Sequence, residues 1–193
     1  MSIGADKRIS IILASLIYCA PSSAYEMFLK AQSFEQSPNS VQTVYLFNGT
    51  IDNSKYSTAI EGISNVAVVT DRSRSIMSAE QRSVTDVSFV LQIESGDSGT
   101  YVVGLSTNSR VINLSPEEFD SHLRGGGLID DLIEFEERSS SATIRERYSK
   151  HLKAIMQVGD RQSDTFRAKL EHPLEIIPDQ NPYELRFGGD LSF

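Results

Sequence analysis

The sequence predicts a mainly β protein, an antiparallel β-sandwich with one short helical insertion. Three observations support this: short runs rich in Val, Ile, Phe, Tyr and Thr, turn-forming segments between them, and a single helix-start motif. The predicted strands are Met27–Ala31, Val41–Phe47, Asn65–Thr70, Val87–Ile93, Thr100–Leu105 and Val111–Leu114. Short, evenly spaced strands of this kind are typical of an antiparallel sandwich.

The segments between the strands are built largely from Gly, Pro, Asn, Asp and Ser. They are Gln36–Ser40, Asn48–Lys55, Asp71–Ser75 and Gly96-Asp97-Ser98-Gly99. Such residues favour turns. We expect the last of them to form a hairpin turn.

The helical insertion is predicted over residues 115–137. Ser115-Pro116-Glu117-Glu118 places a capping serine before a proline, with a glutamate that can return the hydrogen bond. The helix should run through Leu123 and end at Gly125-Gly126-Gly127. A second short helix is predicted over Leu128–Glu137, where apolar residues share one face.

The region Arg145–Val158 is ambiguous. Tyr148, Leu152 and Ile155 fit a helix. A strand instead places one set of residues on one face, Tyr148, Leu152, Ala154, Met156 and Val158, and another set on the opposite face, Ser149, His151, Lys153 and Gln157. The pattern favours a strand in the second half. A further short strand is predicted at Leu174–Ile177, ended by Pro178.

The first 24 residues, Met1–Ala24, predict a cleavable secretory signal. Lys7 and Arg8 are basic, Ile9–Tyr18 is apolar, and Ala24 is a small residue at the expected cleavage point. The apolar run is too short to span a membrane, so we expect a protein that does not span the membrane after processing. The mature chain would begin at Tyr25.

The single cysteine, Cys19, leaves one alternative open, a lipoprotein. Lipidation needs a small residue before the cysteine, and Tyr18 stands there. If Cys19 is removed with the signal, the mature chain has no cysteine and can form neither a disulfide nor a thiolate metal site.

The mature chain is strongly acidic. Without the signal it carries 16 basic and 25 acidic side chains. Nucleic-acid binding depends on basic surface, so we expect no nucleic acid as a partner, whereas a cationic ligand is compatible with the charge.

The mature length predicts one sandwich domain over residues 25–185. In the remaining residues, 186–193, a turn at Gly188-Gly189 is expected to start a strand that ends with the chain at Phe193. A strand without its partners exposes backbone groups, so we expect this segment to be poorly ordered or to pair with another chain. The alternative is that Leu191–Phe193 closes an edge of the sandwich already present.

The three histidines, His122, His151 and His172, lie in three different predicted elements. They form no His-x-His or His-x-x-x-His pair, so no local chelate can be predicted. Without a shared metal, we expect them at exposed positions of a helix, a strand and a loop. Imidazole nevertheless suits nickel and cobalt, and carboxylates could complete such a site.

Acidic residues and catalytic motifs give weaker signals. Glu146, between two arginines, is expected to form a structural ion pair. Glu175 should point away from the core on a strand, and a structural ion pair is expected for it as well. The acidic run within Asp130–Glu137 fits a solvated helix face. The sequence has no Gly-x-Ser-x-Gly elbow, and no serine lies beside a histidine in a recognisable catalytic motif.

A family resemblance rests on a series of segments in the second half of the chain. These are Gly99-Thr100-Tyr101-Val102-Val103, Leu114-Ser115-Pro116-Glu117-Glu118-Phe119, Gly127-Leu128, Arg145-Glu146-Arg147-Tyr148, Lys153, Gln157-Val158-Gly159, Pro173-Leu174-Glu175-Ile176-Ile177-Pro178 and Asn181-Pro182-Tyr183. In order and spacing they resemble the exported bacterial proteins grouped as DUF 4198. That group is related to NikM-like periplasmic components of nickel or cobalt uptake.

The resemblance implies a periplasmic sandwich of immunoglobulin or transthyretin type. It also implies a nickel or cobalt ion as ligand and an inner-membrane transporter component as partner. Family members commonly begin the mature chain with His-Glu, where this chain has Tyr25-Glu26. They also normally continue into more strands after the Asn-Pro-Tyr segment, whereas the resemblance here implies that a C-terminal part is lacking after Phe193. For a metal site in this chain, we expect Tyr25 and Glu26 to contribute with His151 or His172, because a free amine beside a carboxylate can start a chelate that a single imidazole completes.

Three classes of function remain open. The first is a periplasmic binding or accessory protein for nickel or cobalt uptake. The second is a non-catalytic envelope or adhesion-type interaction module. The third is a hydrolase with a site assembled from distant residues, which no motif supports, so we expect no enzyme and no resident cofactor.

Overall fold

The computed structural model describes residues 27–33, 35–50, 53–56, 62–85, 89–128, 130–131, 133 and 143–193. The predicted signal, Met1–Ala24, lies outside these residues, as do the predicted ligands Tyr25 and Glu26. Within the described part, the protein is mainly β with antiparallel sheets, which confirms the predicted fold class. No helix in that part is long and apolar enough to cross a membrane.

The described strands are β1 Met27–Ala31, β2 Glu35–Gln36, β3 Val41–Thr50, β4 Asn53–Tyr56, β5 Ile63–Val69, β6 Arg74–Ile76, β7 Arg82–Val84, β8 Phe89–Glu94, β9 Gly99–Thr107, β10 Arg110–Leu114, β11 Ile144–Tyr148 and β12 His151–Val158. Helix α1 spans Pro116–Gly126. The first sheet has the order β1-β3-β8-β7, with β4 also paired to β3. The second sheet has the order β2-β12-β9-β5-β6, and β10 and β11 form a separate hairpin.

The two large sheets pack face to face around one hydrophobic core. Leu46 of β3 and Phe89 of β8 come from the first sheet, while Val103 of β9 and Met156 of β12 come from the second. All four side chains are inaccessible to solvent. This is the sandwich that the alternating apolar patterns predict.

A C-terminal segment, residues 164–193, covers the outer face of the second sheet. Its Leu170 packs with Ala67 and Val102 in a second, smaller apolar cluster. Strand β9 is therefore buried on both faces, which explains its nearly continuous apolar run. Gly104 of β9 leaves room for Leu170, because a Cβ at Gly104 would lie 2.5 Å from Leu170 Cδ1.

The helical prediction is confirmed at both ends of α1. Ser115 Oγ accepts from the Glu118 backbone N–H at 3.2 Å, and Glu118 Oε2 accepts from the Ser115 N–H at 2.8 Å. The helix ends at Gly126, and Gly127 has a left-handed φ of 70°. Most of the predicted second helix lies outside the described residues, although Asp130, Asp131 and Ile133 have helical backbone.

The ambiguous region 145–158 contains two strands, β11 and β12, separated by Ser149 and Lys150. The favoured strand is thus confirmed and the helix is wrong. Leu152, Met156 and Val158 pack on the sandwich core, as the alternating pattern predicted. The opposite face of β12, with His151 and Lys153, faces the C-terminal segment.

Four predicted details are wrong. Gly96–Gly99 is not a hairpin turn, because β8 and β9 belong to different sheets and the segment crosses between them. Asn48–Lys55 is not one turn, because β3 extends to Thr50 and β4 begins at Asn53. Residues 174–177 form no strand, because their chain is held to β12 by side-chain contacts instead of a ladder.

The fourth concerns the C-terminus. The turn before Gly189 is present, with the Gly189 N–H donating to Arg186 O at 2.9 Å. No strand follows it. The segment folds back instead, because the Asp179 N–H donates to Ser192 O at 2.9 Å. Pairing of this segment with another chain stays a prediction.

Candidate functional site

The candidate site is a groove of about 520 Å³ between β1, β12 and the C-terminal segment. Most of its lining is apolar, from Met27, Phe28, Leu29, Leu152, Ile155, Leu174, Ile176, Pro178, Pro182, Leu191 and Phe193. Its polar side chains are His151, Lys153, His172 and Glu175. A mainly apolar concavity with a few polar groups is the usual form of a small-ligand site.

The sequence places these groups together through two features. The period of two along β12 puts His151 and Lys153 on the outer face of the second sheet. The C-terminal segment then crosses that face and brings His172 and Glu175 to it. Neither half of the site can be recognised without the other, since 21 positions separate the two histidines.

Glu175 anchors this crossing. Its Oε2 accepts from Lys153 Nζ at 2.9 Å, and its Oε1 accepts from the backbone N–H groups of Leu170 at 2.8 Å and His172 at 3.1 Å. The Lys153 and Glu175 side chains are only 13% and 9% exposed. The strand predicted around Glu175 is absent, whereas the structural ion pair expected for this residue is present with Lys153.

The electrostatics of Glu175 follow from these contacts. Burial raises the pKa of the carboxyl, but the Lys153 ammonium and the two backbone donors together outweigh burial and hold the pKa below its ordinary value. Glu175 is accordingly ionised at neutral pH. Lys153 and Glu175 compensate each other, so the polar end of the groove carries little net charge.

The two histidines face each other at this end. The ring centroids of His151 and His172 lie 5.0 Å apart, with 41° between the ring planes. His151 is positioned by two hydroxyls, with Nδ1 2.9 Å from Ser106 Oγ and Nε2 3.0 Å from Ser149 Oγ. If Nδ1 carries the proton and donates to Ser106, the lone pair lies on Nε2.

His172 is held as a neutral imidazole. Burial lowers its pKa, Glu175 partly offsets this, and the positive neighbours and His151 lower the pKa further. A neutral imidazole is the form that binds metal ions. The structure thus keeps His172 in its ligand form at neutral pH.

Two of the four sequence-predicted ligands, His151 and His172, are brought together in the groove. The other two, Tyr25 and Glu26, lie outside the described residues, and Met27, the next residue, lines the groove. In the described part of the chain, no group of three or more His, Cys, Asp or Glu side chains could hold a metal ion. The described residues therefore supply two nitrogen donors and an incomplete coordination shell.

The third histidine is elsewhere. His122 of α1 lies with Nε2 3.7 Å from Glu146 Oε1 of β11. The neighbour of Glu146 is thus a histidine on the helix, and the ion pair expected for Glu146 stays a prediction. Glu146 Oε2 is buried and has no hydrogen-bond partner among the described residues.

A buried polar network fixes the far end of the groove. Asn181, 1% exposed, donates from Nδ2 to Thr100 Oγ1 at 3.1 Å, and Thr100 donates to Gln157 Oε1 at 3.1 Å. Tyr183 Oη donates to Ile155 O at 3.2 Å, and burial raises the pKa of this phenol. These contacts hold Pro182 against the groove.

The sequence did not single out Lys153, Glu175 or Ser106 as site residues. The one available signal was the alternation that put Lys153 on the same face as His151.

Ser149 and His151 resemble a nucleophile and its base. However, Nδ1 of His151 faces a hydroxyl where a Ser-His-Asp triad has a carboxylate to stabilise the imidazolium.

Fold and site together define a β-sandwich protein with a histidine-ended apolar groove on its outer face. Residues 22–193 match the family described as a domain of unknown function, DUF4198. The chain belongs to this family. Neither the curated proteins nor the solved structures gave a match.

Proposed function

We propose that this protein is an exported, periplasmic binding or accessory protein that carries a transition-metal ion, nickel or cobalt, for uptake. The observation that supports this best is the position of His151 and His172. Distant in sequence, they lie with ring centroids 5.0 Å apart in one groove. Imidazole nitrogens are suitable ligands for both metals.

Part of the remaining coordination shell can come from the start of the mature chain. Met27 lines the groove, and Tyr25 and Glu26 directly precede it in the sequence. After cleavage behind Ala24, the free amine of Tyr25 would supply a nitrogen donor and the Glu26 carboxylate an oxygen donor. The net negative charge of the chain favours the approach of a cation.

Calorimetric titration of the exported protein with Ni²⁺ and Co²⁺ tests the proposal. We expect micromolar binding that weakens at least tenfold in His151→Asn and in His172→Asn. His122→Asn is the matched control, because His122 lies on α1 and should leave the affinity unchanged. Absence of binding of these metals to the unaltered protein, both as free ions and as chelates, would contradict the proposal.

Export and the N-terminal donors have their own tests. Mass spectrometry of the exported protein should find Tyr25 at its N-terminus; retained Met1, or lipid on Cys19, would contradict cleavage. Tyr25→His adds an imidazole to the N-terminal donors, so nickel affinity should rise. No gain would count against a site that includes the N-terminus.

A second candidate is a non-catalytic envelope or adhesion-type interaction module. It is favoured by large apolar side chains left exposed along the groove, Leu174 at 85%, Ile176 at 68% and Phe193 at 71%. Such exposure is typical of interaction surfaces. This candidate predicts no metal binding and no effect of the histidine substitutions on binding to an envelope partner.

A further inference from the structure

The groove contains far more apolar surface than a bare metal ion can use. Leu174 and Ile176 line it and remain 85% and 68% exposed. A hydrated ion gains nothing from such walls, because the hydrophobic contribution scales with the apolar area of the ligand that is removed from water. The walls therefore indicate that the ligand has an apolar body.

The polar end of the groove also restricts which ligand can bind. His151 and His172 are two nitrogen donors, too few to fill the four to six positions of nickel or cobalt. Beside them Lys153 and Glu175 are paired with each other at 2.9 Å. The end of the groove thus presents two imidazoles beside a compensated ion pair, and its described side chains include no unpaired carboxylate or ammonium that would bind a charged head group.

The volume agrees with a small organic ligand. At about 520 Å³ the groove is within the range of roughly 300–1,000 Å³ for small-molecule sites. We propose that the cargo is nickel or cobalt already held by a small apolar chelator, whose body lies along Leu174 and Ile176 while His151 and His172 take open positions on the metal.

This inference rests on the proposed metal-binding function and specifies the form of the cargo. Binding is a ligand exchange, in which the lone pairs of two imidazole nitrogens replace two water molecules on the metal and no electron is transferred. His151 Nε2 exchanges its contact with the Ser149 hydroxyl for the metal. Ser106 at Nδ1 keeps the ring oriented, as partners outside the coordination shell do at other metal sites.

The test compares three probes by calorimetry: Ni²⁺ alone, its one-to-one complex with 2,2′-bipyridine, and its one-to-one complex with 2,2′-bipyridine-4,4′-dicarboxylate. The two complexes have the same donor atoms, but the second carries charges at its periphery. We expect the bipyridine complex to bind at least tenfold more tightly than either other probe. Metal-free bipyridine should bind more weakly than its nickel complex.

Variants locate the effect. Because Leu174 and Ile176 are largely exposed, Leu174→Ser and Ile176→Ser should fold normally and weaken binding of the bipyridine complex about tenfold when combined. Phe187→Ser is the control, since Phe187 is fully exposed and does not line the groove. Unfolding curves of each variant verify that the fold is kept.

The possible failures are distinguishable. Equal affinity for Ni²⁺ alone and the bipyridine complex, or no effect of the serine variants, would overturn this inference and leave the proposed function standing. Equal binding of metal-free bipyridine would also overturn it. If no nickel probe binds, the proposed function fails, and the inference fails with it.

Discussion

Glu175 accepts hydrogen bonds from Lys153 on β12 and from the backbone of His172, so a single carboxylate ties the loop that carries one histidine to the strand that carries the other. The ion pair is nearly buried, and it belongs to the site as much as to the fold. Removing one partner of a buried pair is costly because the other is left unpaired.

Glu175→Gln should therefore lower the free energy of unfolding by about 3 kcal/mol. It should also weaken nickel binding, because His172 loses its position beside His151. Urea denaturation and calorimetry measure the two effects. Glu171→Gln is the matched control in the same loop. The Glu171 side chain is 84% exposed, and its ion pair with Arg74 is long, at 3.7 Å, so its replacement should change the free energy of unfolding by less than about 0.5 kcal/mol.

The pH dependence of stability provides an independent check on Glu175. Its folded-state pKa lies below the ordinary value, so between the two values the unfolded chain binds more protons than the folded one. The stabilisation is complete above the ordinary pKa and is lost as the pH falls through the folded-state pKa. Denaturation curves of the unaltered protein and Glu175→Gln should converge at acidic pH; a constant difference would contradict the assignment.

Gly104→Ala should destabilise the protein by about 1–3 kcal/mol, because its Cβ would lie 2.5 Å from Leu170 Cδ1. In a Leu170→Ala background the added cost should disappear, which a double-mutant cycle measures. Gly125→Ala serves as the control, since its Cβ would meet nothing within 4 Å and α1 should gain up to about 1 kcal/mol. Equal costs of Gly104→Ala in both backgrounds would mean that Leu170 is not its close neighbour.

Asn181→Ala should cost about 2 kcal/mol, because Thr100 loses a buried donor and the carbonyl oxygen of the Asn181 side chain no longer accepts from the Tyr183 N–H. Gln180→Ala, which removes one exposed contact to Asp190 O, should be nearly neutral. Thermal unfolding compares the two variants. A neutral Asn181→Ala would show that this network does not fasten the C-terminal segment.

The sequence predicted the parts of the fold whose signals are local. The capping box at Ser115, the glycine stop at Gly127 and the alternation of β12 each depend on neighbouring residues, and each is confirmed. The hairpin predicted between β8 and β9 is wrong, because the turn-forming composition of Gly96–Gly99 does not reveal which sheet the next strand joins. Two-residue strands such as Glu35–Gln36 carry no periodic signal at all.

The candidate site is predictable only in part, because its residues come from segments that are distant in the sequence. The sequence predicts either His151 or His172 as the imidazole that completes an N-terminal chelate, but their proximity to each other depends on the path of the C-terminal segment. The ion pair of Glu175 is predicted correctly, but the strand predicted over Leu174–Ile177 hides its partner, because the alternation of a strand would turn the carboxylate towards solvent. In the structure the segment is irregular, and hydrogen bonds set the direction of that side chain.

X-ray absorption spectroscopy of the nickel-loaded protein tests the central claim most directly. The imidazole ring atoms scatter in a recognisable pattern, so the spectrum counts the histidines bound to the metal. We predict two imidazoles for the unaltered protein, none for the combined His151→Asn and His172→Asn variant, and two for His122→Asn. An imidazole signal that persists in the combined variant would contradict the assignment of His151 and His172 as the metal ligands.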